Sequence, residues 1–252
     1  MLSQQRYQYI LDIIRQRGIV KVAELTSNCG VSTETIRRDL FYLEKEGFLS
    51  RVHGGAVAVN KAVGTFSTRA VERQELKREA ACLAVSLLEQ DDIIAMDSGT
   101  TSLEMAQLIQ LGEKRLTVLT HSVPAFQVLA ENPNIRVFLT GGEYSPRESA
   151  LCGCQAEEMI RNFHVKKAFI CPSCVSLDNG FTDYLMPMIG MQKAYLSITE
   201  KAYFVADHAK VERVAFAKIR GWQPGDVLVT DAGLSESVYE KYLENGKQVF
   251  RG

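Results

Sequence analysis

No apolar run in this 252-residue chain approaches the roughly 18–20 residues that a helix needs to cross a bilayer. The opening stretch MLSQQRYQYILDIIRQRG has polar residues breaking every apolar run, which is the pattern of an amphipathic helix and not of a secretory leader. The expectation is a cytoplasmic protein with no membrane partner, whose six cysteines stay reduced. An excess of one charge is also missing: 29 Lys and Arg face 30 Asp and Glu, a net charge of −1, so a uniformly basic nucleic-acid coat is excluded. There is no internal repeat and no low-complexity segment. No Ser-His-Asp order or paired-carboxylate spacing compels a hydrolase. The cysteine pairs Cys152/Cys154 and Cys171/Cys174 are spaced too tightly at the first pair for a usual structural zinc site. They are expected to be small, buried thiols, with no metal and no cofactor.

What is present divides the chain in two. Residues 1–57 carry eight Lys and Arg against six Asp and Glu, a local +2, and the rest carries −3. Ile10, Ile13 and Ile14 fall on one face of a first helix, and Val22, Leu25 and Cys29 on one face of a second. Gly30 can end that helix and Ser32 can cap the next, in which Ile36, Leu40 and Leu43 face inward. FLSRVHGGAVAV then alternates and turns at Gly54-Gly55, like a short hairpin. Helix, helix, tight turn, helix and hairpin is the order of a winged helix-turn-helix. Residues 58–76 have weak periodicity and read as a linker. From 77 to 252, short apolar runs at 93–97, 116–120, 135–140, 167–171, 202–207 and 226–230 alternate with helical segments, as in a mostly parallel α/β sheet.

A recognition helix needs an exposed N-terminal half with short hydroxyls for phosphates and arginines for guanine edges. In VSTETIRRDL the inward residues Ile36 and Leu40 leave Ser32, Thr33, Thr35, Arg37 and Arg38 for DNA, with Glu34 a favourable charge in the first helical turn. Arg51 and His53 on the wing could reach the flanking backbone. The alternative is that Arg37, Arg38 and Asp39 form a solvated ion-pair face.

Arg6, Ile10 and Ile14, followed by Ser32, Thr35, Ile36, Arg37, Arg38, Asp39 and Leu40 and by the wing-like RVHGGA at 51–56, resemble the N-terminal signature of the DeoR family of bacterial transcription regulators. The resemblance implies binding to double-stranded operator DNA through residues 1–57.

The second half raises a different chemistry. DSGTT, Asp97–Thr101, lies between an apolar run and a helical pattern, where helix N–H groups and the hydroxyls of Ser98, Thr100 and Thr101 suit a phosphate and Gly99 permits close approach. The same letters could also be only a cap cluster. Other strand ends add Thr120 with Ser122, Gly141 with Gly142, and Asp207 with Lys210, all on the edge where parallel sheets bind ligands. His121 and His208 also lie there. Asp97–Thr101, Thr140–Gly142, GFT at 180–182 and ADHAK at 206–210 are similar to the DeoR effector-domain motifs, and that domain resembles ribose-5-phosphate isomerase A. The resemblance implies a phosphorylated sugar as effector, a homo-oligomer (dimer or higher), repression relieved by ligand, and no enzymatic activity. A sugar-phosphate isomerase with an accessory helical domain is the competing reading. One departure stands out: where the family carries a Glu-x-x-Lys-like element, this chain has Gly190-Met191-Gln192-Lys193, so that Lys193 would substitute after a shift in register.

Overall fold

The computed structural model describes residues 3–17, 19–45, 49–52, 54–58 and 64–252. The chain divides into two compact units, residues 1–69 and 70–252.

The first unit begins with α1 (Ser3–Arg17), β1 (Ile19–Lys21), α2 (Val22–Cys29) and α3 (Thr33–Lys45), and closes with β2 (Leu49–Val52) and β3 (Gly55–Ala58). Gly30 ends α2 in the left-handed conformation, its N–H donating to Thr26 O at 3.1 Å. Ser32 starts α3 by accepting the Thr35 N–H on its hydroxyl at 3.2 Å. Ile10, Ile14, Leu25, Cys29, Ile36, Leu40 and Leu43 form one apolar core, as the helical spacing predicts, whereas Val22 only packs on its margin. The periodicity misses β1. Its three residues form an antiparallel sheet in the order β1-β3-β2, Val20 opposite Ala56. Gly55 is required there, because a Cβ on it would lie 2.1 Å from Val20 O.

Between the units the expected linker is partly helical. α4 (Phe66–Val71) and the start of α5 (Gln74–Ser86) fall inside 58–76. Thr65 looks like loop composition but works as a cap, its hydroxyl accepting the Thr68 N–H at 3.3 Å.

The second unit continues through β4 (Asp92–Met96), α6 (Thr100–Gln110), β5 (Leu116–Thr120), α7 (Val123–Leu129), β6 (Ile135–Leu139), β7 (Glu143–Ser145) and β8 (Ala150–Cys152). Then follow α8 (Cys154–Arg161), β9 (Val165–Ile170), β10 (Cys174–Ser176), β11 (Gly180–Asp183), α9 (Met186–Ser197) and β12 (Thr199–Val205). A 3₁₀ turn at His208–Lys210 leads to β13 (Ala217–Arg220), β14 (Val227–Thr230), α10 (Glu236–Glu244) and β15 (Gln248–Arg251). Seven strands build one sheet in the order β15-β14-β12-β9-β4-β5-β6, every neighbouring pair parallel. Alternate residues feed opposite faces: Ala95, Leu119, Ala168 and Phe204 join one core, Ile94, Val118, Phe169 and Tyr203 the other. Six of these strands coincide with the apolar runs in the sequence. The seventh, β15, reads QVFR and offers too short an apolar signal at the sheet edge. A small antiparallel sheet β10-β11-β13 and the hairpin β7-β8 lie outside the main sheet.

Among the described residues no helix is long and apolar enough to cross a membrane. All six cysteines are free thiols; Cys152 and Cys174 are buried, as expected, but Cys154 is exposed and Cys171 only partly covered.

Candidate functional site

In the first unit the N-terminal half of α3 is open to solvent. Ser32, Thr33, Glu34, Arg37 and Arg38 are exposed, and Thr35 is half-buried with its hydroxyl 2.9 Å from that of Ser32. The ion-pair-face alternative fails because Asp39 points the other way. It is buried and bound by Arg6 of α1, with Nε–Oδ2 at 2.6 Å and Nη2–Oδ1 at 3.0 Å. This two-pronged bond fixes the angle at which α3 leaves the body of the unit, and Asp39 raises the Arg6 pKa further. Arg51 is less free than the sequence reading assumes. Its Nε donates to Glu44 Oε2 at 2.6 Å, its N–H to Glu44 Oε1 at 2.7 Å, and its guanidinium lies 5.0 Å from the Phe41 ring centroid. It therefore braces β2 against α3. His53 lies outside the described residues.

In the second unit the strand order reverses beside β4. Its chain successor β5 lies on one side and β9 on the other, which puts a crevice at the carboxyl ends of β4 and β9. Asp97 fills the floor of that crevice. Its N–H donates to Phe169 O at 2.9 Å, and its carboxylate accepts from Ser98 N at 2.8 Å, Cys171 N at 3.0 Å and Gln192 Nε2 at 3.0 Å. Burial pushes Asp97 up to about 7 against the pull of these donors. His121 Nε2 stands 3.6 Å from Asp97 Oδ1 and its Nδ1 3.1 Å from Tyr195 Oη, and burial drives the imidazole down to about 3. Asp97 thus organises the floor and is not a free ligand-binding carboxylate.

Above it, Gly99 caps α6 at φ 107° and ψ 170°, a region that side chains other than glycine avoid. A Cβ there would meet nothing closer than Cys171 Cβ at 4.0 Å, so the space beside it is open. Gly99 and Thr100 are half-exposed, while Thr101 is buried with an unpartnered hydroxyl among the described residues. Ser98 turns inward to Met188 Sδ at 3.6 Å. A lysine closes in from the 3₁₀ turn after β12: Lys210 Nζ donates to Pro172 O at 3.0 Å, on the residue after Cys171.

Other candidates are engaged elsewhere. The Thr120 hydroxyl accepts the Ser122 N–H at 3.1 Å, and the Ser122 hydroxyl caps α7 by accepting Ala125 N at 3.3 Å. Gly141 is exposed, and Gly142 is required by packing, since a Cβ on it would sit 2.6 Å from Cys152 O. Asp207 is buried and paired with Arg73 Nη1 at 2.7 Å. Lys193 is exposed on α9; Gln192, one residue earlier, faces inward and joins Asp97 to Asp183 Oδ2 at 3.3 Å.

Residues 72–232 match the DeoR C terminal sensor domain, and residues 6–62 match the DeoR-like helix-turn-helix domain. The chain belongs to the DeoR family. Among DeoR regulators, it is 30% identical to the HTH-type transcriptional regulator GolR of Listeria innocua, over 99% of this chain and 98% of that one. It is 29% identical to the L-fucose operon activator of Haemophilus influenzae (95% and 96% covered) and 28% to the transcriptional repressor AccR of Agrobacterium fabrum (95% and 95%). Ribose 5 phosphate isomerase A from Neisseria gonorrhoeae aligns with a TM-score of 0.42 at 18% identity, covering 55% of this chain and about half of the isomerase, 54%. As a DeoR regulator the chain is a DNA-binding transcription factor with a sensor domain.

The DeoR sensor edge holds residues that the sequence reading missed. Arg73 and Lys77 come from α5 and the turn before it, and Gln192 from the Met-rich α9. His208, which the sequence does place at this edge, is held by the unforeseen Asp231, with Nδ1 2.5 Å from Oδ1 and the His208 N–H donating to Oδ2 at 2.6 Å. Lys77 did carry a signal: it shares the buried face of α5 with Ala80, Ala81 and Ala84, where a lysine is out of place.

Proposed function

We propose that this DeoR regulator controls a carbohydrate operon, and that a phosphorylated sugar bound at the carboxyl edge of the parallel sheet sets its affinity for operator DNA. The observation that carries the reading is the open, glycine-capped start of α6 at the crevice between β4 and β9. There the first turn of α6, with Thr100 half-exposed, borders open space beside Gly99, and Lys210 is bound to Pro172 O next to Cys171. An anion at that point meets both a helix N-terminus and an ammonium. A relative named for the L-fucose operon supports a carbohydrate connection. Residues 1–57 read the operator through Ser32, Thr33, Arg37 and Arg38. Residues 58–76 connect, and residues 77–252 sense the effector and assemble at least a dimer, because paired half-sites need a symmetric oligomer. The protein acts in the cytoplasm, and ligand relieves repression.

An isomerase would need a free base beside the reacting carbon. The carboxylate of Asp97 accepts three hydrogen bonds from protein donors, which argues for sensing over turnover. The experiment is a thermal-shift screen of sugar phosphates beside their unphosphorylated parents, followed by operator binding with each hit.

A further inference from the structure

The carboxyl end of β12 carries a second arrangement that phosphate binding alone does not explain. Asp207 is 0% exposed, yet one carboxylate oxygen is satisfied and the other is not. Oδ1 accepts from Arg73 Nη1 at 2.7 Å, and Oδ2 has no hydrogen-bond partner among the described residues. A buried, unpartnered carboxylate oxygen is costly and marks an acceptor available to a ligand hydroxyl.

Arg73 is held just as unusually. It stands at φ 50° and ψ 38°, in the left-handed region, at the turn between α4 and α5, and its side chain makes no cap bond. A residue with a Cβ stays there only when its surroundings hold it. Two side chains do so. Asp207 takes the guanidinium, and Lys77, one turn into α5, donates its Nζ to Glu72 O at 2.5 Å. Burial, helped by the neighbouring Lys210 and Arg73 and opposed by Asp207 and Glu72, pushes Lys77 down to about 8. The turn at 72–73 is thus fastened to α5 at its carbonyl and to the strand edge at its guanidinium. From this turn the chain runs back through α4 to the DNA-reading unit.

We propose that Arg73 is the residue through which occupancy of the strand edge reaches operator binding: a polyol phosphate donates a hydroxyl to Asp207 Oδ2, draws Arg73 from Oδ1 with its anionic group, and frees the 72–73 turn from its left-handed conformation. The Arg73–Asp207 pair then holds the 72–73 turn in the form that permits operator binding when the edge is empty. The ligand's role rests on the function proposed above, but the pair can be tested without any ligand.

The test is operator affinity of the full-length protein, without effector, for Arg73→Gln, Arg73→Gly, Asp207→Asn and the double Arg73→Gln/Asp207→Asn variant. Each single change is expected to weaken operator binding at least tenfold, and the double change no more than the stronger single one, because both break one pair. Arg78→Gln, which removes an exposed guanidinium from the same helix and its 3.6 Å pair with the buried Glu104 of α6, serves as control and should bind normally. Thermal unfolding is read in parallel, since a purely structural pair would lower the midpoint and leave the affinity of the folded protein unchanged. If Asp207→Asn fails to fold, Arg73→Gly decides, because glycine tolerates the left-handed turn at no cost to folding but no longer holds it there through Asp207. Single variants that bind operator within twofold of the parent overturn the proposal. A sugar-phosphate screen with no hits would instead count against the ligand reading and leave this result standing.

Discussion

Arg6 of α1 grips Asp39 of α3 through two hydrogen bonds, Nε to Oδ2 at 2.6 Å and Nη2 to Oδ1 at 3.0 Å, with both side chains buried. The next residue but one from the exposed Arg37 is therefore an internal anchor. Removing Asp39 takes two charge-assisted hydrogen bonds away from a buried guanidinium. Asp39→Ala is expected to destabilise the DNA-reading unit by about 3–5 kcal/mol. The double change Arg6→Met/Asp39→Leu should recover much of that loss. Denaturant unfolding of the three proteins checks both expectations.

Arg37 and Arg38 stand on the open face of the same helix. If they reach base edges, each alanine substitution weakens specific operator binding by about 1–3 kcal/mol and spares random DNA. If they reach phosphates only, affinity falls for all sequences and the salt dependence becomes shallower. Titrations at several salt concentrations separate the two, and normal operator binding by the double alanine variant contradicts both.

The fold was more legible than the site. Six of the seven parallel strands follow from continuous apolar runs, because a strand buried on both faces must be apolar throughout. β1 and β15 escaped because three or four residues at a sheet edge leave no period to read. In the site, Gly99 and Thr100 stand where the motif puts them, but the letters of Ser98, Thr120 and Ser122 could not reveal hydroxyls turned to Met188, Ser122 N and Ala125 N. Gln192 was hidden for another reason: α9 is apolar nearly all round, so its inward face cannot be picked out by periodicity.

The buried pair of Asp97 and His121 gives a prediction for stability against pH. Asp97 is raised by burial to about 7, so its contribution is fully present below its unfolded value and is lost as pH rises through about 7. His121 is lowered by burial to about 3, so its contribution is present above its unfolded value and is lost as pH falls toward about 3. Between these limits the two slopes oppose each other, and the parent protein should show a nearly flat profile from that source. Asp97→Asn exposes the histidine slope, with stability falling as pH drops below about 6.5. His121→Phe exposes the opposite slope, with stability falling as pH rises toward 7. Urea midpoints of the three proteins across this range are the measurement, and parallel profiles contradict the assignment.

Gly99 tests the phosphate cradle. At φ 107° a β-branched residue cannot keep the backbone in place, although the space around a Cβ is open. Gly99→Val should abolish stabilisation by phosphorylated sugars and leave operator binding by residues 1–57 intact. Thr100→Ala should reduce the ligand response by about 0.5–3 kcal/mol, the worth of one hydrogen bond. Calorimetric titration with the hits of the sugar-phosphate screen provides the comparison.

The most direct measurement is operator release by a sugar and its phosphate, with the parent protein and Gly99→Val on the same DNA. A ligand regulates only through its different affinity for the two states, so release and stabilisation must rank the compounds alike. The expected result is release of the parent by a phosphorylated sugar, little or none by the free sugar, and none from Gly99→Val. Equal release by free and phosphorylated sugar, or release from Gly99→Val at the same concentration, contradicts a sensor built on the start of α6.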